Sequence, residues 1–387
     1  MRSLAIFLVI LLIIVGGAAI FLVATTPHDR APAVISPEFI KEVPDSAEWF
    51  AIVPTAAALD AKLNANPVTR GVLEKWRSSQ RLPRPWMLGN ADLIAWQSGG
   101  AMHYYFRVDP LRSFVVRLFG HGDIITPPSE QPLDASPIID LASKLPACDA
   151  LVVQRENARG SFPPIARPAV TSVVVTRDEV RLTSLAHHRE DGEDGASAPS
   201  VPSVVNDFPN GAVLSASFAT TPRIIGDLNR VFGAKVSDLF KEGGMVCIYD
   251  VDFRKLLPRP LGVIVLPDDA QRRATISSLR DVVRNDSKDG MLLLSFDHSI
   301  DQYKTDVFEQ PGTVGNEWTM RIDAPRLVPI LNNFSQNLGA RVLEPRLFRS
   351  ARDLNGWIGG LEQAKVIDAA ASVDSGEETL RVRITAK

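Results

Sequence analysis

An uninterrupted apolar run from Leu4 to Ala24 constrains this chain more than any other feature. Its 21 residues carry no charge and no strongly polar side chain. At about 1.5 Å per residue, an α-helix of that length spans roughly 31 Å, which matches a hydrocarbon core of about 30 Å. Leu, Ile, Val and Phe dominate the run, and each favours insertion by about 0.3–0.6 kcal/mol at the bilayer centre. A cleaved signal peptide is the competing reading. Its apolar region is usually about 7–15 residues, and Leu22 is poorly suited to the small-residue position before a cut after Ala24. The run therefore reads as a retained signal-anchor. No cysteine lies near it, which argues against a lipid-attached N-terminus. Gly16-Gly17-Ala18-Ala19 either lets two anchors approach closely or is ordinary backbone packing.

Only Arg2 and the terminal amine precede the run, whereas a long folded region follows it. Short N-termini stay in the cytoplasm, and long domains translocate largely regardless of charge. The expectation is a single-pass protein with a cytoplasmic N-terminus and a periplasmic or otherwise extracytoplasmic body. That body has an ordinary globular composition, with 45% hydrophobic and 22% charged residues over the whole chain. A net charge of -3 gives no global attraction for nucleic acid, and no nucleic-acid partner is expected.

The organisation follows from composition breaks. Residues 25–42 carry Pro27, Pro32 and Pro37 and read as an extended stalk. Residues 187–203 (HHREDGEDGASAPSVPS) read as an exposed linker. The linker separates a first α+β half, 43–186, from a second, 204–387. Without a gap, VPDSAEWFAIVPTAAALDAKL (43–63) lines up with FPNGAVLSASFATTPRIIGDL (208–228), with five of 21 positions identical. Farther on, GGAMHYYFRVDPLR (99–112) is set against GGMVCIYDVDFRK (243–255). A further strand-to-helix step is EWTMRIDAPRLVPILNNF (317–334). In Asp109-Pro110 the carboxylate can accept from an orphan helix N–H, and Pro needs no N–H at the first helical position. The spacing of Leu111, Phe114, Val115 and Leu118 predicts one buried helix face. Residues 170–186 predict a hairpin around Thr176–Glu179, 261–283 a strand and a capped helix, and the C-terminus a hairpin at Asp374-Ser375-Gly376. The fold class is α+β: a duplicated, mainly antiparallel sheet region with helices packed on one face.

The anchor, the Pro-Asp turn, the repeated strand-to-helix steps and the closing hairpin resemble an uncharacterised group of bacterial membrane-anchored extracytoplasmic proteins. The segments that carry the resemblance are 43–63, 99–118, 208–283 and 317–387. It implies an exported, duplicated fold and brings no catalytic residues with it.

A search for chemistry finds little. No G-x-x-x-x-G-K-[ST], G-x-S-x-G, H-E-x-x-H or Cys-x-x-Cys occurs. No catalytic, cofactor-binding or metal-ligating residue is assigned, and no cofactor is expected. His187-His188 beside Glu190, Asp191, Glu193 and Asp194 could hold a metal, but a solvated linker explains the run better. Asp250 and Asp252 resemble an acidic metal-binding pair, and Asp252 is read instead as a helix cap equivalent to Asp109. Asp268-Asp269 also reads as a cap, and His103 as a structural histidine. Trp76, Trp86, Trp96 and Trp318 read as packing. Cys148 and Cys247, one in each half, either pair or stay as buried thiols. Two contact surfaces remain. One is the stiff Pro-flanked segment Pro83-Arg84-Pro85-Trp86; the other is a basic patch of Arg107, Arg112 and Arg117 suited to anionic lipid or a partner. Loop packing and a solvated face are the bland readings of these two.

The expectation is a non-enzymatic, membrane-anchored component that binds a protein partner or supports an envelope assembly. Its membrane contact is residues 4–24. Two alternatives stand beside it: a carrier of lipid or a small apolar ligand, and a hydrolase using Asp250 and Asp252.

Overall fold

The computed structural model describes residues 30–71, 89–155, 168–187, 209, 211–218, 238–240, 243–254, 259–277, 284–288, 290–295, 318–336, 358–374 and 376–387. Leu4–Ala24, Trp76, Pro83, Arg84, Pro85, Trp86 and the linker beyond His187 lie outside these residues. No helix among the described residues is long and apolar enough to cross a membrane. The chain divides into two compact units, 1–186 and 187–387. Each is α+β, with antiparallel strands and a few helices.

Unit 1 runs α1 (Pro37–Lys41), β1 (Trp49–Val53), α2 (Ala56–Ala65), β2 (Asp92–Ser98), β3 (Ala101–Arg107), α3 (Pro110–Leu118), α4 (Ser136–Lys144), β4 (Ala150–Gln154), β5 (Ala169–Val175) and β6 (Glu179–His187). Its strands lie in the order β6-β5-β4-β1-β2-β3. Part of the predicted stalk belongs to this unit. Ser36 caps α1 through its hydroxyl, and Ile35, Ile40 and Val43 are buried, because their apolar area outweighs the extended preference of the prolines.

Unit 2 runs β7 (Leu214–Phe218), β8 (Gly244–Asp252), β9 (Arg259–Pro267), α5 (Ala270–Ser277), β10 (Arg284–Lys288), β11 (Met291–Ser295), β12 (Trp318–Asp323), α6 (Ala324–Gln336), β13 (Ala364–Asp374) and β14 (Glu377–Ala386). Its order is β14-β13-β12-β7-β8-β9-β11-β10. Without β10 and β11, which follow α5 as a hairpin, the path repeats that of unit 1. The first strand is central, the second and third extend one side, and the fourth to sixth extend the other.

The register sharpens the correspondence. Ala47 N–H donates to the Pro44 carbonyl at 3.1 Å, and Ala212 N–H donates to Pro209 at 3.1 Å. In the ungapped alignment Trp49 falls on Leu214, and their neighbours on the next strand are Gln97 and Ile248. The second sequence pairing is corrected. Gly99-Gly100 forms the β2–β3 turn, whereas Gly243-Gly244 leads into β8, the counterpart of β2. The equivalent of β3 is β9, so Asp109 corresponds to Asp269 and not to Asp252. Among the described residues Asp252 caps no helix. It closes the end of β8, where Oδ1 accepts from Arg254 N–H at 2.9 Å and the carboxylate pairs with that guanidinium.

Helices do not all pack on one face. Along β2 and β3, Ile94, Trp96 and Tyr105 join Ile40, Ile138 and Leu141 of α1 and α4. Leu93, Tyr104 and Phe106 point the other way and join Val115 and Val116 of α3. Successive strand residues face opposite sides, so apolar residues at neighbouring positions call for cover on both. Unit 2 alternates in the same way: Val263 and Val265 join one cluster, while Ile264 and Leu266 join Ile276 of α5.

The predicted hairpins are present. Thr176 N–H donates to Glu179 O at 2.9 Å, and Gly376, at φ 82°, turns β13 into β14. Cys148 and Cys247 are buried and are not joined in a disulfide. Burial and the neighbouring Asp149 charge push the Cys148 thiol up to about 11.

Candidate functional site

The helix after Asp109 is built on a local device that recurs. Asp109 Oδ1 accepts from Arg112 N–H at 3.0 Å, and its other oxygen lies 3.2 Å from Arg112 Nε. Asp269 Oδ1 accepts from Arg272 N–H at 2.8 Å, and the Arg272 guanidinium pairs with its second oxygen. Asp323 Oδ1 accepts from Arg326 N–H at 3.1 Å. The sequence grammar is Asp-x-x-Arg: the carboxylate satisfies an orphan helix N–H and holds the guanidinium three residues on. Predicted caps at Asp109 and Asp269 are thus observed, and Asp323 makes a third. Asp268 does something else: it pairs with Arg273 and accepts from Ser287, and chiefly the Arg273 guanidinium holds its carboxyl below the usual range.

In α3 and α5 the arginine of this device is buried, with only 4% of Arg112 and 5% of Arg272 exposed. Arg272 Nε donates to Leu239 O at 2.9 Å, and Nη1 to Pro267 O at 3.3 Å. Arg112 lies against Gly89, where a methyl group would fall 1.0 Å from its Nη1. Gly89 also has φ +58°, so both space and backbone demand glycine there. Val116 fills the inner face one turn on, as Ile276 does in α5.

The outer face reverses the sequence expectation. Leu111 is 48% exposed, Phe114 66% and Leu118 70%, and Phe119 at the helix C-cap is 55% exposed. Among the described residues the only other large apolar side chain standing out to solvent is Val34. The stripe was expected to be buried because 3.6-residue periodicity identifies an apolar face without saying which way it points. Arg112 and Val116 turn inward instead, fixed by Asp109 and Gly89. The helix stops cleanly after Phe119. Gly120, at φ 80°, donates to Arg117 O at 3.0 Å and His121 donates to Val116 O at 3.0 Å, a Schellman ending.

Of the predicted basic patch, Arg107 and Arg117 are exposed and Arg112 is buried. Arg107 lies over the Phe39 ring at 5.3 Å from its centroid and pairs with Glu42 at 3.5 Å. Arg112 is internal, whereas Arg117 on α3 is exposed, as Arg107 is at the end of β3. A buried arginine cannot serve as a surface contact, so Arg112 is removed from the contact set. His103 stacks on Trp96 with ring centroids 5.3 Å apart. Asp250 is exposed and accepts from Val251 N–H, and among the described residues no three His, Cys, Asp or Glu side chains gather as metal ligands.

One further titratable group stands at the α3 end of the sheet. Asp92 is paired in register with Arg107, and burial pushes its carboxyl up to about 6, partly offset by Arg107 and Arg30. Arg30 reaches the same end, where Nη1 donates to Thr55 Oγ1 at 2.6 Å. Lys62 Nζ donates to Arg30 O at 2.6 Å and to Asp149 at 2.7 Å, tying the incoming chain to α2 and the sheet.

The chain matches no protein-family model, no curated protein and no solved structure. The exposed face of α3 therefore stands on its geometry alone. Sequence reasoning named Leu111, Phe114 and Leu118 and misassigned their direction; it did not name Phe119, and Val115, set on the same face, packs against the inner cluster. The Asp-x-x-Arg spacing ties Arg112 to Asp109, but Asp109 is itself exposed, so the spacing does not say which side of the helix faces inward.

Proposed function

We propose that this is a single-pass membrane protein, anchored by residues 4–24, whose extracytoplasmic body acts without catalysis as a docking or scaffold component at the membrane. The observation that carries the reading is the outward apolar face of α3. Leu111, Phe114, Leu118 and Phe119 stay in water on a helix whose inner face is already satisfied. The equivalent helix α5 has Gln271 and Ala274 where α3 has Leu111 and Phe114, so the scaffold itself does not require the apolar pair. Contiguous exposed apolar surface on a folded protein marks a contact site. The two units, with their shared strand path and shared helix caps, are read as copies of one ancestral module. Membership in the bacterial membrane-anchored group described above goes with this reading.

The test uses bacterial cells producing the full chain. Alkaline carbonate should leave the chain in the membrane pellet, and protease added outside spheroplasts should digest the body. Release by carbonate overturns the anchor, and protection of the body in intact spheroplasts overturns the orientation. A robust turnover by the purified full chain overturns the non-catalytic assignment.

A further inference from the structure

We infer that the outward face of α3 rests on the lipid surface of the same membrane that holds residues 4–24. The inference depends on the anchored reading above and adds the occupant of the exposed face.

The argument begins where the chain enters the fold. Five residues, 25–29, separate the apolar run from Arg30. Even fully extended, that connection spans only about 20 Å. Arg30 is fixed at one end of the unit 1 sheet by its bond to Thr55 and by Lys62 on its carbonyl. At that end β1 finishes, β2 begins and β3 finishes, as the pairing of Val53 with Leu93 and of Asp92 with Arg107 requires. Ala56, next to Thr55, donates to Ala91 O at 2.9 Å and packs in the same cluster as Val115 and Val116 of α3. The end of the sheet nearest the bilayer is therefore the end from which α3 springs.

What α3 offers there suits an interface. Leu111, Phe114, Leu118 and Phe119 form one outward stripe, and Arg117 stands beside them in solvent. Apolar side chains of this kind enter the boundary between headgroups and acyl chains, and a neighbouring cation meets anionic headgroups. Tethering matters because a single short helix binds lipid weakly. Residues 4–24 hold the body at the surface, so the contact forms at high effective concentration. The comparison within the chain points the same way. Unit 2 has no anchor immediately before it in sequence, and its α5 carries Gln271 and Ala274 in the positions of Leu111 and Phe114.

The test reconstitutes the full chain into phosphatidylethanolamine–phosphatidylglycerol vesicles with or without brominated acyl chains. Phe114→Cys and Leu118→Cys variants carry an environment-sensitive fluorophore. Ala101→Cys, at the other end of β3 and exposed, is the reference, and the unsubstituted chain sets the background from its two buried thiols. Bromination should quench the probes at 114 and 118 and leave the probe at 101 unchanged. Adding Leu111→Gln should weaken the quenching at 118. A chain retained after carbonate extraction but equally unquenched at all three sites overturns the inference and leaves the anchor standing. A chain released by carbonate overturns both. Probes shielded from water, unquenched and cross-linked to a second copy overturn the inference in favour of self-association.

Discussion

Helices α3 and α5 leave equivalent strands, begin with the same Asp-x-x-Arg device and bury the same two positions, Arg112 and Val116 against Arg272 and Ile276. Their outer faces differ. One carries Leu111 and Phe114, the other Gln271 and Ala274. The inner face of each helix is set by the fold, which needs a capped start and an apolar plug. The outer face is free of that demand, so the fold does not dictate what it carries. An exposed Phe gains nothing from the local structure, because burial of apolar area is what stabilises and this area stays in water.

The largest expected effect falls on unit 1 alone. Gly89→Ala sets a methyl group 1.0 Å from Arg112 Nη1 at a residue with φ +58°. Overpacking and left-handed strain together should cost about 3 kcal/mol. Hydrogen exchange by mass spectrometry should show loss of protection in β2, β3 and α3 with unit 2 unaffected. Equal loss in both units would mean that they do not fold as separate cores.

Next comes removal of the buried arginines. Arg272→Met leaves the Leu239 and Pro267 carbonyls without a donor and should cost about 2 kcal/mol in denaturant unfolding. Arg112→Met should cost a similar amount if the two devices are equivalent. A negligible cost at either site would break the correspondence between the helices.

The units should also diverge with pH. Asp92 in unit 1 is raised to about 6 by burial, so its ionised form is disfavoured in the fold. Its contribution is fully present below the unfolded value of about 3.9 and is lost as pH rises through about 6. Asp92→Asn should therefore stabilise unit 1 by about 1 kcal/mol at pH 8, allowing for solvent screening at this half-buried site, and by nothing near pH 3.5. Asp368 in unit 2 has the opposite sign. Burial alone would raise its carboxyl, but Arg321 at 2.7 Å and Arg383 at 3.0 Å outweigh that and hold it below the usual range. Its contribution is present above the unfolded value and is lost as pH falls through the depressed one. Urea titrations with unit-resolved hydrogen exchange from pH 3 to pH 8 read both trends.

The smallest stability effect is the most informative about use. Leu111→Gln with Phe114→Ala gives α3 the outer residues of α5. Both positions are exposed, so unfolding free energy should change by less than about 0.5 kcal/mol. A larger loss, read by denaturant unfolding, would show that the apolar stripe is part of the core.

Much of this was legible in the residues. Asp109-Pro110, the hairpin at Thr176–Glu179 and the closing hairpin at Gly376 are local, and each is dictated by a cap or a turn that a few neighbours decide. The turn and strand part of the 43–63 and 208–228 alignment was also sound, because Pro-x-x-Ala turns and strand starts recur at the same spacing, while 219–228 lie outside the described residues. The Gly-Gly pairing failed because the same dipeptide serves a turn in one unit and a strand entry in the other. Asp252 failed because an Asp at a strand end can close a turn with its own i+2 neighbours as readily as cap a helix.

Sequence by itself determined the apolar 21-residue run, the α+β class, the helix starts at Asp109 and Asp269 and the apolar stripe on α3. Tertiary structure alone decided which way that stripe points, because a helical period defines a face but not its neighbour. It also decided that helices cover both faces of the unit 1 sheet, and that Arg112 is a buried partner of Asp109 and not a surface charge. These are matters of what packs against what. They are settled by contacts such as Arg112 against Gly89, made between residues far enough apart in sequence that no local pattern records them.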